Sequence, residues 1–300
     1  MSSQRSVISQ PMIDLYDHFT HFGGSRRDLL AGLARLAGGT AAAAALLPLI
    51  EARADAAPLT SPADPALYSD RIVFTLRDGT RMAGYLSEKL RVSTRAPRVM
   101  VIHENRGLTD HIRDVTRRLA LAGFVALAPD FLTTAGETPR SGDGTTSADD
   151  IARALIGQLN PAQTVAQAVN TLAWLDDYSH GTGKPGAVGF CWGGGLVNNL
   201  AIAAGAGLRS GVAYYGAAPA DLGAASRVKA RMTLHFAGLD ERINARGAEW
   251  GEALAAAQTK VDVFTYPGVN HAFNNDTSAA RFDKAAADLA WERTLAALRL

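Results

Sequence analysis

The 300-residue chain has one cysteine, Cys191. That excludes an intramolecular disulfide and a zinc site built from several cysteines. Charge bias is absent too: 30 Lys and Arg stand against 29 Asp and Glu, a formal net charge of +1. A broad basic surface for nucleic acid is therefore not expected, and neither is an acidic solvating chain. Long unbroken apolar runs are missing. The stretch ending at Ile50 is interrupted by Arg35, Gly38, Gly39 and Pro48, which argues against a transmembrane anchor. No segment repeats at a fixed period. What is present is a 47% hydrophobic content, enough to bury a real core.

The N-terminal region differs from the rest. Ser25-Arg26-Arg27-Asp28-Leu29-Leu30 precedes a weakly apolar Ala/Leu/Gly stretch that ends in Ala52-Arg53-Ala54-Asp55-Ala56-Ala57. Paired arginines before such a run, with small residues after it, resemble a twin-arginine export signal. Residues 1–56 are read as that signal peptide and leader, with Arg26 and Arg27 as its recognition pair and cleavage near Ala54 or Ala56. A mature chain of about 245 residues, periplasmic or secreted, would remain. Residues 57–70 read as an extended lead-in and 71–300 as one domain.

Arg71–Leu76 and Arg81–Leu86 flank Asp78-Gly79, a hairpin signal. Arg98–Ile102 is apolar on both faces, as in a buried strand. Helical spacing over Ile112–Leu121 and a strand at Phe124–Ala128 complete a strand–helix–strand unit. Thr133–Asp150 reads as a surface loop. Helices follow at 161–178, 196–204, 245–258 and 278–298, with strands at 187–190, 211–215, 232–236 and 261–266. The alternation predicts an α/β fold: one doubly wound, mostly parallel sheet with an N-terminal antiparallel hairpin.

The cysteine lies in Gly189-Phe190-Cys191-Trp192-Gly193-Gly194-Gly195, between a strand and a helix. This is the G-x-S-x-G nucleophile elbow with Cys for Ser. Glycines flank such an elbow because side chains two residues to either side would clash in the tight turn. The following helix N-terminus favours a thiolate and a developing oxyanion. A thiolate needs a base and an orienting acid, and on this architecture they follow in the order acid, histidine. Asp240 comes just past the strand ending at Phe236, with Glu241 its nearest rival. His271 comes just past Tyr266. Of the other histidines, His18, His21 and His180 fall in the leader or polar loops, His111 opens a helix, and His235 lies inside a strand. Only His103 shares the strand-end position.

These segments together resemble the dienelactone hydrolase family of the α/β-hydrolase superfamily. The likeness rests on His103-Glu104-Asn105-Arg106-Gly107, Asp110-His111-Ile112-Arg113, Phe124–Asp130, the elbow, Asp240 and His271-Ala272-Phe273, in that order across Arg71–Leu300. It implies a Cys191–His271–Asp240 triad, with Glu104 pairing with the thiol and helping to generate the thiolate. It also implies an oxyanion hole from the backbone N–H groups of Trp192 and Asn105. The loop after His271 lacks the Arg and Ser with which the family grips a carboxylate, so the substrate need not be a dienelactone. Arg106 would supply a compensating charge, while Phe131, Tyr214, Tyr215 and Phe273, beside Trp192, would line an apolar pocket.

The expectation is a cysteine-dependent hydrolase of a lactone or carboxylic ester, acting without a cofactor on a small molecule. Its other expected partner is the export machinery, and a monomer is the expected state. The rival reading is an exported, non-catalytic ligand-binding protein on the same fold. A metal hydrolase using His103, Glu104 and His111 matches no established zinc spacing.

Overall fold

Apolar runs punctuated by Gly, Pro and Asp become the strands of one sheet in the computed structural model, which describes residues 8–51, 58–90, 96–143 and 146–299. The cleavage positions Ala54 and Ala56 lie outside the described residues. The strands are β1 (Leu67–Thr75), β2 (Arg81–Lys89), β3 (Ala96–Ile102), β4 (Val125–Pro129), β5 (Gly181–Phe190), β6 (Ser210–Tyr214), β7 (Arg231–Ala237) and β8 (Val261–Tyr266). Their order across the sheet is β1-β2-β4-β3-β5-β6-β7-β8. β1 and β2 form the antiparallel hairpin and β2 pairs antiparallel with β4. Every other neighbouring pair is parallel.

Both faces are buried, as a parallel sheet requires. Side-chain alternation divides β3, with Met100 and Ile102 on one face and Val99 and Val101 on the other. The first face packs beneath Leu172, Leu196 and Trp250 of α6 (Pro161–Asp177), α7 (Trp192–Ala204) and α8 (Glu241–Ala256). The second is covered by α4 (Asp110–Leu121) and α9 (Lys284–Arg299), through Ile112, Val115 and Ala290.

Two local readings are corrected. The span expected as a loop through Asp150 already contains the start of α5 (Ala148–Gln158), whose Ser147 cap accepts from the Asp150 N–H. The closing helix begins at Lys284 and not at Ser278, because Ser278 and Arg281 belong to a hydrogen-bonded turn.

The larger finding concerns the N-terminal region. α1 (Gln10–Phe22), α2 (Arg26–Ala37) and α3 (Thr40–Ile50) form a packed unit around the buried Tyr16, Leu33 and Ile50. No single described helix is long and apolar enough to cross a membrane; α2 and α3 are bent by 109° at their junction. The unit is docked on the α/β domain. Arg281 Nη1 donates to Asp17 Oδ1 at 3.1 Å, Arg106 Nη2 to the Tyr16 hydroxyl at 2.6 Å, and Ser278 Oγ to the Ile50 carbonyl at 3.0 Å. A segment with a leader's composition thus carries an amphipathic pattern sufficient to bury a small core, each buried Leu or Ile being worth about 1.5–3 kcal/mol. Packing and an address function are separate properties, and the first is what the structure displays.

Candidate active site

The elbow is built as its glycines require. Cys191 has φ 55° and ψ −116°, a left-handed backbone that a non-glycine residue holds only under strain. A Cβ on Gly189 would meet the Gly193 carbonyl oxygen, and one on Gly193 would stand 2.4 Å from the Ile102 carbonyl oxygen. Both positions must therefore be bare. Trp192 opens α7, so its N–H has no carbonyl earlier in the helix to bond. Asn105 follows β3 in the adjacent loop, and its side-chain amide donates to the Thr20 carbonyl at 3.0 Å.

Cys191, Tyr215, Asp240 and His271 all sit past the C-terminal ends of parallel strands, where loops converge at the point of reversed strand order. His271 Nδ1 donates to Asp240 Oδ2 at 2.5 Å, which fixes the tautomer and leaves Nε2 buried without a hydrogen-bond partner among the described residues. Arg242 lies beside both, 3.7 Å from Asp240 Oδ1. Burial alone would raise the Asp240 carboxyl, but His271 and then Arg242 hold it below the usual range.

The thiol has a second imidazole. His21, near the end of α1, places Nε2 3.3 Å from the Cys191 sulfur. Its Nδ1 donates to the Asp17 carbonyl at 2.7 Å. A ring nitrogen each of His21 and His271 and the Cys191 sulfur lie within 4.8 Å of one another. His103 is not part of this cluster. Its Nδ1 donates to the Glu104 carbonyl at 2.7 Å, and its Nε2 accepts the Phe131 N–H at 3.2 Å. Burial alone would push the Cys191 thiol up. The charges of His21 and His271 outweigh it and bring the thiol down to about 5. Burial alone would likewise lower His271, but the Cys191 sulfur and Asp240 push it up to about 10.

A cavity of about 680 Å³ opens on the thiol, lined by Cys191, His271, Trp192, Tyr215, Asn105 and His21 among others. Its lining is largely apolar and includes Ile156 of α5 and Val165 of α6, with Arg153 and Arg242 adding positive charge. Of the five side chains expected to bind substrate, Tyr215 alone lines this cavity. Phe131 is buried against Trp192 and His103. Tyr214 and Phe273 pack in the core, where Tyr214 hydrogen-bonds Thr294 at 2.6 Å. Arg106 is 6% exposed, engaged by Tyr16 and Asp149, and faces a neighbouring cavity. Glu104 is also buried. Its Oε2 accepts from Asn275 at 2.9 Å and its Oε1 is unpartnered among the described residues, while the side chain hydrogen-bonded to the sulfur is His21. Sequence reasoning passed over His21, Arg153 and Arg242. His21 left no local signal, since its partner is 170 residues away.

A mostly parallel sheet with a strained cysteine elbow and a strand-end Asp–His pair defines an α/β-hydrolase. The family is more specific. A model of the dienelactone hydrolase family matches residues 82–299. A candidate carboxymethylenebutenolidase from Escherichia coli O157:H7 is 30% identical over 229 residues, spanning 72% of this chain and 82% of that protein. Another from Saccharolobus solfataricus is 30% identical over 262 residues, spanning 77% and 98%. The crystal structure of a candidate dienelactone hydrolase from Klebsiella pneumoniae matches with a TM-score of 0.69 at 25% identity, covering 78% of this chain and 99% of that one. The chain belongs to the dienelactone hydrolase family, and its chemistry is hydrolysis.

Proposed function

We propose that the protein is a cysteine-dependent hydrolase of a lactone or carboxylic ester, working through Cys191, His271 and Asp240 by way of an acyl-enzyme. The observation that carries this is the strained elbow cysteine beside a buried imidazole whose other nitrogen is held by Asp240. The Cys191 thiolate attacks the carbonyl carbon, forming a C–S bond as the C–O bond to the leaving group breaks. The N–H groups of Trp192 and Asn105 receive the oxyanion, where each such donor is typically worth a factor of about 100 to 1000. Acylation discharges the sulfur and so removes the charge that most strongly holds a proton on His271. His271, oriented by Asp240, is then the base for the water that cleaves the thioester. The largely apolar lining supports an ester or lactone with an apolar body.

The experiment compares wild-type and Cys191→Ala protein on a panel of aryl esters and enol lactones. Loss of hydrolysis by a variant with an unchanged thermal melt is expected. Wild-type turnover by Cys191→Ala would overturn the reading.

Export belongs to the same proposal. The Arg26-Arg27 pair and the small residues near Ala54 and Ala56 support residues 1–56 as a twin-arginine-type leader that engages the export machinery. Residues 1–60 fused to a folded reporter should carry it out of the cytoplasm. Retention with both arginines intact would remove this part.

A further inference from the structure

We propose that His21 is a catalytic residue while the N-terminal helices are attached: α1 brings a second imidazole onto the Cys191 sulfur, and the two imidazoles share the proton the thiol gives up. The inference rests on the reading of Cys191 as nucleophile and adds to it a residue outside the family-matched region, which begins at residue 82.

Three observations carry it. The first is contact: among the described residues, the side chain hydrogen-bonded to the sulfur is His21, at 3.3 Å. The second is tautomer. The Asp17 carbonyl accepts a hydrogen bond from Nδ1–H at 2.7 Å, so Nε2 faces the sulfur with its lone pair. When Nε2 accepts the thiol proton, the same carbonyl stabilises the positive ring. The third is that α1 forms a wall and not a plug. With His21 and Thr20 in place, the cavity still opens on Cys191. The helix is also seated from several directions. Asn105 donates to the Thr20 carbonyl, Arg281 to Asp17, and Gln10 to the Asn270 side chain, next to His271.

Other ionisable groups surround the pair. Asp17 is on α1 itself, Arg153 comes from α5, and Glu104 follows β3. Tyr215 follows β6, Asp240 and Arg242 open α8, and His271 follows β8. His21 and His271 are the groups that lower the thiol. The proton balance is closed. Cys191 S–H gives its proton to the imidazole pair, and the thiolate forms the C–S bond. The leaving oxygen takes that proton as its bond to carbon breaks. In deacylation His271 takes a proton from water and returns it to the departing sulfur. The segment with a leader's composition therefore does more than carry an address: while attached, it completes the site.

The test is the pH dependence of Cys191 alkylation by iodoacetamide in the full chain, with ester hydrolysis followed in parallel. The wild-type thiolate should titrate near 5. His21→Gln should titrate at least one pH unit higher, and two units would cut alkylation at pH 6 about tenfold. Added imidazole should restore reactivity to His21→Ala, a rescue that a purely structural role would not give. An unmoved midpoint in His21→Gln, or no rescue in a folded His21→Ala, overturns the inference. If Cys191→Ala abolishes hydrolysis while His21→Gln behaves as wild type, only this inference fails. If Cys191→Ala stays active, the reading beneath it fails.

Discussion

Asp240 opens α8 and in the same position accepts the His271 Nδ1–H at 2.5 Å, so one carboxylate ends a loop and orients an imidazole. Replacing it with Asn removes the charge that helps hold the His271 proton and permits the wrong tautomer. Asp240→Asn is expected to lower ester turnover by a factor of about 100 or more, with acyl-enzyme accumulating in a pre-steady-state burst. Stopped-flow release of an aryl leaving group reads both effects.

The two shifted groups define a pH window. The lowered thiol is charged above about 5 and loses its charge as pH falls through that value. The raised His271 keeps its proton until pH rises through about 10. Single-turnover acylation should therefore show a plateau between these limits and decline on both sides. A profile whose acid limb lies near the free-thiol value would contradict the low thiol.

Gly193 has no room for a methyl group, since a Cβ would stand 2.4 Å from one strand-end carbonyl oxygen and 2.5 Å from the next. Gly193→Ala should push the start of α7 away from β3 and pull the Trp192 N–H off the oxyanion position. The expected result is loss of most activity with a destabilisation of about 1–3 kcal/mol, measured by denaturant titration.

Leu33 is fully buried at the centre of the three N-terminal helices. Leu33→Ala should cost that unit about 2–5 kcal/mol and leave the sheet untouched. Hydrogen exchange should then accelerate in 10–50 while the amides of β3 and β5 stay protected.

Ile156 lines the cavity that opens on the thiol. Enlarging it to Trp should exclude long acyl chains first. kcat/KM for a long-chain ester should fall at least tenfold against acetate, as measured on a homologous ester series.

The sheet was legible because its signals are local. Val99-Met-Val-Ile102 has the length of a buried strand, and Asp78-Gly79 marks its hairpin within a few residues. Gly189, Cys191 and Gly193 could be read together because the elbow is a five-residue object with one steric solution. Asp240 and His271 were legible from strand-end position together with the chain order nucleophile, acid, histidine. The remainder of the site was hidden for distinct physical reasons. α5 begins inside a Gly/Thr/Ser/Asp-rich stretch whose composition outweighs the helical pattern of Ile151, Leu155 and Ile156. Arg106 has the charge to grip a carboxylate, but Tyr16 and Asp149 already hold it, and neither lies near it in the chain. His21 reaches Cys191 only through the tertiary docking of α1, which no periodicity encodes. The aromatic residues misled most: Phe131, Tyr214 and Phe273 are large enough to fill a pocket or a core, and their strand-end neighbours turn them inward.

The docked helices restrict access to the arginine pair that the proposed export reading depends on. Arg26 is in the first turn of α2, with Nη1 3.0 Å from Glu51 and 3.4 Å from Asp150, the latter on the α/β domain. A receptor that grips these arginines must take Arg26 from both carboxylates. The docked segment and the receptor-bound segment are then mutually exclusive states of the same residues. On the export reading proposed above, delivery and docking would compete in time, because the docked state holds Arg26 against both carboxylates.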